Sequence, residues 1–477
     1  MRDVMDGMRS CKNVSGLIVM PRLSKPLGVS AISGAETLSS LLSCAAADKC
    51  PHFVRVPFHA PLLVCYSSGT TGTPKPIVHS VGEYSSTSSR KDASTIPCWI
   101  MYVLQVANLL IGARIVAYDG SPFMPDRTTL VRILAQQHVT TFGTSPRWML
   151  EMAKSGISPR EIADLSALRT ITSTGMVLSD QLFEWVYDSG FPPSIQLINK
   201  SGGTDIAGCF GTGNPLSPVY VGGTQGPSLG VPISIYDAGV GDIGRPVPLG
   251  NAGELVATAA FPNMPCFFWK DSPLPTPALP GSKYHSSYFA RFNHVWTHGD
   301  LCMIHPRTLN IHFLGRADGV LNPSGVRFGS SEIYSVIDAK FSGEVEDSLC
   351  VGQRRPDDAD ESVVLFLLMR DGHSLTRRLI SEIKAAIGRD LSKRHIPKYI
   401  FEAPEIPVRY TVAMFDDGKT LIFSQTTVTH KKVELPVKQI ISGHKVKPSN
   451  ALLNPSSLSY FYQFVQVEKM ARGVERL

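Results

Sequence analysis

Between two apolar runs, LLVCY and PIVHS, residues 67–75 read SSGTTGTPK. Ser67, Ser68, Thr70, Thr71 and Thr73 present hydroxyls, while Gly69 and Gly72 let backbone N–H groups approach a ligand with no Cβ in the way. With Lys75 at its end, the loop has the donors and the charge to cradle a polyphosphate such as a nucleoside triphosphate. Gly69 and Lys75 have the spacing of a Walker loop. Pro74, however, stands where that motif needs its second glycine, and it lacks the N–H that would face phosphate. A Walker-type NTPase is therefore excluded. A polar turn without function is the plain alternative, and such turns rarely gather so many hydroxyls between apolar strands.

The elements that must position this loop follow an α/β rhythm. From Thr129 onward, TLVRILAQQ reads as helix and HVTTFGT as strand, and Ser145 followed by Pro146 caps and opens a second helix through RWMLEMAKSG. LRTITSTG is a second strand. Ser179 starts the helix DQLFEWVYDSG, closed by Gly190, and the third strand SIQLIN empties into KSGGTD. Strands ending in such loops are where open α/β sheets place ligands. The segment Phe261–Phe292, rich in Pro, Gly, Ser and aromatics, is expected to be a surface excursion. Trp99–Ile111 is almost wholly apolar but too short to span a bilayer, so a buried helix feeding a core strand at IVAY is expected.

Near GRADGVLNPSG the composition changes, and a compact α+β pattern follows: SEIYSVIDAKF as helix and SVVLFLLM as strand. A further helix shows Leu375, Leu379, Ile383, Ile387 and Leu391 recurring every four positions. The fold class expected is α/β, with a large amino-terminal domain of layered subdomains (1–317) and a small mobile α+β domain (318–477). Within the latter, TVAMFDDGKTLIFSQTTV breaks the rhythm. Removing residues 413–428 restores a continuous YTVTHKKVE, so an insertion or a gene-model artefact is expected there.

At 477 residues the chain exceeds what one hydrophobic core usually holds, consistent with two or three domains. The net charge of +6 is small for this length and no run of like charge concentrates it, so a nucleic-acid partner is not expected. Hydrophobic residues at 43% and charged ones at 18%, with 40 glycines and 35 prolines, describe a folded, loop-rich enzyme rather than a disordered chain. The nine cysteines contain no C-x-x-C pair, which signals neither a disulfide framework nor a zinc site. The amino terminus lacks an apolar signal core, and the cytosol is the expected location.

SSGTTGTPKPIVH resembles the phosphate loop of the acyl-adenylate-forming superfamily of acyl-CoA synthetases, adenylation domains and luciferases. The likeness continues in order through YDGSPF (118–123), SGGTDIAGCF (201–210), VWTHGD (295–300) and GRADGVLNPSGVRFGSSEIY (315–334), and is closest to the acetoacetyl-CoA synthetase branch. It implies two half-reactions: an acid and ATP give an acyl-adenylate and pyrophosphate, and CoA sulfur then displaces AMP. The expected partners are thus small molecules: ATP, a short acid such as acetoacetate, and CoA, with Mg²⁺ as cofactor.

By this resemblance Thr204 lies near the α-phosphate and Asp205 holds Mg²⁺ where relatives commonly carry Glu. Asp300 accepts the ribose hydroxyls with help from Arg316, and Arg327 meets phosphate. Asp318 is the hinge of the small domain, and Gly325 permits passage of the CoA pantetheine. Gly202 stands where acetyl-CoA synthetases have a tryptophan that shortens the acyl pocket, so room for a longer acid is expected. Trp99, in STIPCW, lines the same pocket. The catalytic lysine is Lys431 in THKK, where His430 replaces the family's glycine; Gly418-Lys419 within the insertion matches better locally but not in context.

The chain also departs from the family. Relatives are longer at the amino end, so the first α/β subdomain is expected to be incomplete, and Ser80–Ser94 is shorter than its counterparts. Two rival readings follow: a degenerate, non-catalytic relative that binds nucleotide or a partner, and an adenylating enzyme that passes its acyl group to a carrier-protein thiol. The sequence leaves the oligomeric state open.

Overall fold

A computed structural model describes residues 17–19, 29, 35–44, 54–67, 75–83, 105–118, 120–237, 243–271, 280–317, 321, 323, 328–358, 360–409, 431–446 and 454–474. They fall into two units. The first, among residues before 57, pairs Leu17–Val19 with Ala35–Thr37 in parallel and continues into the helix Leu38–Ser43, which Thr37 caps by accepting from the Ser40 amide.

The second unit is mixed α/β. Thr141–Thr144, Thr170–Ser173 and Gln196–Asn199 form a parallel sheet in that order, as the alternating pattern predicted. The helices Thr129–Gln136, Pro146–Lys154 and Asp180–Trp185 bury their apolar faces in one core with this sheet, centred on Trp148, Phe142, Phe183 and Phe191. The Ser145 hydroxyl accepts from the Trp148 amide at 3.3 Å, so the predicted cap forms. Beyond Trp185 the last helix widens into a π-helical turn, Val186–Gly190.

Pro61–Ser67 and Lys75–Ser80 are antiparallel partners with Ser67 opposite Lys75, so residues 68–74 link the ends of a hairpin. A second hairpin, Ser201–Gly203 with Gly208–Thr212, carries Thr204 and Asp205 in its turn. A four-stranded antiparallel sheet runs Ile233–Tyr236, Ala252–Ala257, Trp296–Ile304, Ile311–Arg316 and sets Asp300 opposite Arg316.

Two expectations are corrected. The described residues of the segment Phe261–Phe292 do not form a surface excursion: Phe267–Phe268 pairs with Lys75–Ser80, and Phe268, Tyr284, Tyr288 and Phe292 are all buried, while residues 272–279 lie outside the described residues. The helix expected within Trp99–Ile111 is present at 105–109 with Gln105, Ala107 and Asn108 buried, but Leu109, Leu110 and Ile111 are exposed and no strand forms at IVAY. Among the described residues no helix is long and apolar enough to cross a membrane.

The carboxyl-terminal part packs the helices Ser330–Lys340 and Arg377–Asp390 on one face of a sheet ordered Val345–Gln353, Ser362–Met369, Tyr399–Glu402. Leu379, Ile383 and Ile387 are buried there, as their spacing required. The helix Glu434–Ile441 covers the other face. Val408–Arg409 pairs with Lys431–Lys432, on either side of the suspected insertion; residues 410–430, and with them 413–428, lie outside the described residues.

Candidate active site

The two hairpins and the four-stranded sheet converge on one cluster of charge. Asp205, half-buried in the turn of the second hairpin, accepts a hydrogen bond from the Tyr288 hydroxyl at Oδ1. Lys75, where the first hairpin resumes after the hydroxyl-rich loop, places Nζ 5.1 Å from the Tyr288 ring centroid and 5.8 Å from that of Phe268. Burial works against ionisation of Asp205. The neighbouring His298, the Tyr288 hydroxyl, Lys75 and Arg316 outweigh it and hold the carboxyl below its ordinary range. Tyr288 shifts the other way: burial first, then the adjacent Asp205 charge, keep its phenol protonated and therefore a donor.

The sheet supplies the rest. Arg316 donates to Asp300 Oδ1 at 3.0 Å and to the His298 carbonyl at 3.2 Å. Between these acceptors Gly299 takes φ +81°, and a Cβ there would stand 2.8 Å from the guanidinium. This turn of the chain is thus open only to glycine. His298 Nε2 is 3.7 Å from Asp300 Oδ2, and its ring lies 4.5 Å from Phe210. Burial lowers the His298 pKa, and the neighbouring Asp300 and Asp205 carboxylates only partly offset it.

Of the residues singled out in the sequence, Lys75, Asp205, Asp300 and Arg316 come together, and Ser67 ends the strand opposite Lys75. Thr204 directs its carbonyl oxygen to His79 Nε2 at 2.9 Å. Gly202 lies where a Cβ would meet the Gly208 carbonyl oxygen at 1.9 Å and Cys209 Cα at 2.7 Å, so the close approach of two backbones demands glycine. The backbone of Lys431 is in the strand paired with Arg409. Its neighbour Lys432 is committed elsewhere, with Nζ 2.8 Å from Asp347 Oδ1 and 3.8 Å over the Tyr334 ring. Ser68, Gly69, Thr70, Thr71, Gly72, Thr73, Trp99, Asp318, Gly325 and Arg327 lie outside the described residues.

Sequence reasoning passed over Tyr288, His298, His79 and Glu83. His298 stands two residues before Asp300 in WTHGD, close enough to notice; Tyr288 lies in the segment expected to be a surface excursion. Among the described residues no group of three or more His, Cys, Asp or Glu side chains forms a cage for a metal. A single carboxylate such as Asp205 suits Mg²⁺ that arrives with nucleotide phosphates, because that ion keeps most of its oxygen ligands from water and phosphate.

Comparison with known proteins shows which family the chain resembles. The family model for AMP-binding enzyme matches residues 22–263. The chain is 38% identical to acetoacetyl-CoA synthetase of Gallus gallus over 98% of its own length and 67% of that protein's. It is 40% identical to acetoacetyl-coenzyme A synthetase of Rhizobium meliloti (strain 1021), over 86% and 59%. A solved acetoacetyl-CoA synthetase from Streptomyces lividans superposes with a TM-score of 0.81 at 31% identity, covering 98% of this chain and 68% of that one. The chain thus spans about two thirds of the length of the relatives it matches. Collinear motifs, a shared fold and likeness over nearly every residue together establish that the chain belongs to the AMP-binding enzyme family, among the acetoacetyl-CoA synthetases, which are ATP-dependent acid–CoA ligases.

Proposed function

We propose that this chain activates acetoacetate as an acyl-adenylate and transfers the acyl group to CoA, with release of pyrophosphate and AMP, in the cytosol. The observation that carries the reading is the convergence of Lys75, Asp205, Asp300 and Arg316, from four separate stretches of sequence, in one electrostatic cluster. In the first half-reaction an acetoacetate oxygen attacks the α-phosphorus while the bond from that phosphorus to pyrophosphate breaks. Little covalent chemistry falls to the protein in such a step, and positioning and charge neutralisation dominate.

Lys75 and the hydroxyls of Ser67, Ser68, Thr70, Thr71 and Thr73, with the amides of Gly69 and Gly72, receive the phosphates, and Arg327 adds a further cation. Asp205, held ionised, is the residue to bind Mg²⁺, which would neutralise phosphate charge. Thr204 stands by the α-phosphate. Asp300 takes the ribose hydroxyls, and Arg316, already bound to its Oδ1, fixes its orientation. Lys431 brings an ammonium to the reacting carboxylate and α-phosphate; the engagement of Lys432 with Asp347 and Tyr334 supports Lys431 as the lysine left for that task. Trp99 and Gly202 line the acid.

In the second half-reaction the CoA thiolate attacks the acyl carbon and AMP leaves, with pantetheine passing Gly325 after the small domain turns at Asp318. Product analysis tests the reading: incubation with ATP, Mg²⁺, acetoacetate and CoA should yield acetoacetyl-CoA, AMP and pyrophosphate in equal amounts. Nucleotide binding without AMP release would favour a non-catalytic relative. AMP release with no acyl-CoA would favour a carrier thiol as acceptor.

A further inference from the structure

His79 sits on the strand Lys75–Ser80 with 1% of its surface exposed. Its Nε2 lies 2.9 Å from the carbonyl oxygen of Thr204, 125 residues away. A carbonyl can only accept, so Nε2 carries the proton and donates it. On the other side of the ring, Nδ1 is 2.9 Å from Glu83 Oε2. Glu83 is itself buried and fixed: Oε2 accepts from the Ser80 amide at 3.1 Å, while the Glu83 amide donates to the Ser80 hydroxyl at 3.1 Å. The carboxylate therefore sets the plane of the imidazole, and the imidazole holds the turn of the second hairpin.

That turn needs holding. It joins strands of three and five residues, Gly202, Gly203 and Gly208 flank it without side chains, and Ala207 adopts φ 45°. Asn263 steadies its far end by donating to the Ile206 carbonyl at 3.1 Å. His79 steadies the near end, next to Thr204 and Asp205, from the same strand that begins with Lys75. We propose that His79, aimed by Glu83, is a positioning residue for adenylation: it keeps the Thr204–Asp205 turn in register with the phosphate-binding hairpin. The inference rests on the roles given above to Thr204 and Asp205.

Two near-isosteric variants of the full chain separate positioning from simple core packing. In His79→Gln the amide nitrogen reaches the place of Nε2 and keeps the bond to Thr204; in His79→Asn it reaches the place of Nδ1 and keeps only Glu83. In acid-dependent ATP–pyrophosphate exchange, His79→Gln should retain kcat within about 5-fold, while His79→Asn should lose about 30-fold or more, because small displacements of reacting groups are costly. The ATP KM of both should stay within about 3-fold of the parent, since the ribose contacts are untouched. Equal losses in the two variants, or a loss in His79→Asn confined to KM, would overturn the proposal. If neither variant folds, Glu83→Gln is read by the same split: a lowered kcat with unchanged ATP KM supports it, and no change in kcat refutes it. Asp205→Asn, run alongside, tells the two failures apart. Intact exchange there would overturn the site assignment itself, whereas lost exchange with indistinguishable His79 variants would overturn only the positioning role.

Discussion

The phenol of Tyr288 donates to the carboxylate of Asp205 across 83 residues of sequence, with its ring stacked on Trp296 at 3.8 Å and Lys75 on its face. An aromatic wall thereby orients the one carboxylate proposed to meet Mg²⁺. Tyr288→Phe removes a donor that favours the ionised form of Asp205, so the Asp205 pKa, now below its ordinary value, should rise. Activity needs the carboxylate charged and declines as pH falls through that pKa; the acid limb of kcat/KM should therefore move to higher pH. The plateau should drop about tenfold, the scale of one lost hydrogen bond to a charged group. A pH–rate profile of the two proteins checks this, and an acid limb that does not move would show that the phenol leaves Asp205 unaffected.

Lys432 and Asp347 make a prediction about stability. Burial raises the Asp347 pKa, but the charge and hydrogen bond of Lys432, the Arg147 charge and the Ser348 amide outweigh it and hold it below its ordinary value. A depressed carboxyl pKa contributes stability that is present above the unfolded value and lost as pH falls through the folded one. Asp347→Asn should cost about 3 kcal/mol at pH 7, since it leaves Lys432 without its anion. The gap to the parent should close as pH falls below about 4. Urea denaturation at several pH values measures it; a gap that does not narrow at all as pH falls would contradict the ion pair.

How far the sequence disclosed this molecule can be judged residue by residue. The strands on either side of SSGTTGTPK were legible from their apolar runs, whereas Asp300 and Arg316 stood out only through the likeness of VWTHGD and GRAD to family motifs, and the structure sets them 3.0 Å apart. The Ser145–Pro146 cap and the fourfold spacing of Leu379, Ile383 and Ile387 were legible because they depend on local geometry alone. Tyr288 was hidden because aromatics among Pro, Gly and Ser resemble a loop, and only the distant pairing of Phe267–Phe268 with Lys75–Ser80 draws that segment into the core. His79 was hidden for a related reason: its partner is a backbone carbonyl 125 residues away, and carbonyls have no spelling in sequence. IVAY failed as a strand although its apolar run was sufficient, since apolarity does not supply a pairing neighbour.

Gly202 distinguishes a backbone requirement from a pocket requirement. With its Cβ direction facing the Gly208 carbonyl at 1.9 Å, Gly202→Ala should force the second hairpin apart, at about 2 kcal/mol of stability. Exchange with acetoacetate and with acetate should fall together. A selective loss of acetoacetate, with acetate spared, would show that the space Gly202 leaves beside the acid, and not the backbone approach to Gly208, sets the cost.

The lysines of THKK should separate cleanly. Lys431→Ala should reduce adenylate formation by about 10²–10³, the usual effect of removing one preorganised charge, while conversion of supplied acyl-adenylate to acyl-CoA continues. Lys432→Ala should lower the melting temperature instead, because it breaks the contacts with Asp347 and Tyr334. Lys419→Ala, and deletion of residues 413–428, should do little to either half-reaction. Single-turnover assays of each half-reaction on these variants decide the matter; loss of adenylation in Lys419→Ala would move the catalytic role into the insertion.

Acid-dependent ATP–pyrophosphate exchange in the absence of CoA tests the central claim most directly, because it isolates adenylate formation from thioester chemistry. The purified chain, given ATP, Mg²⁺ and labelled pyrophosphate, should incorporate label into ATP only when an acid is present, and faster with acetoacetate than with acetate. No acid-dependent incorporation, from a folded protein that still binds ATP, would contradict the account.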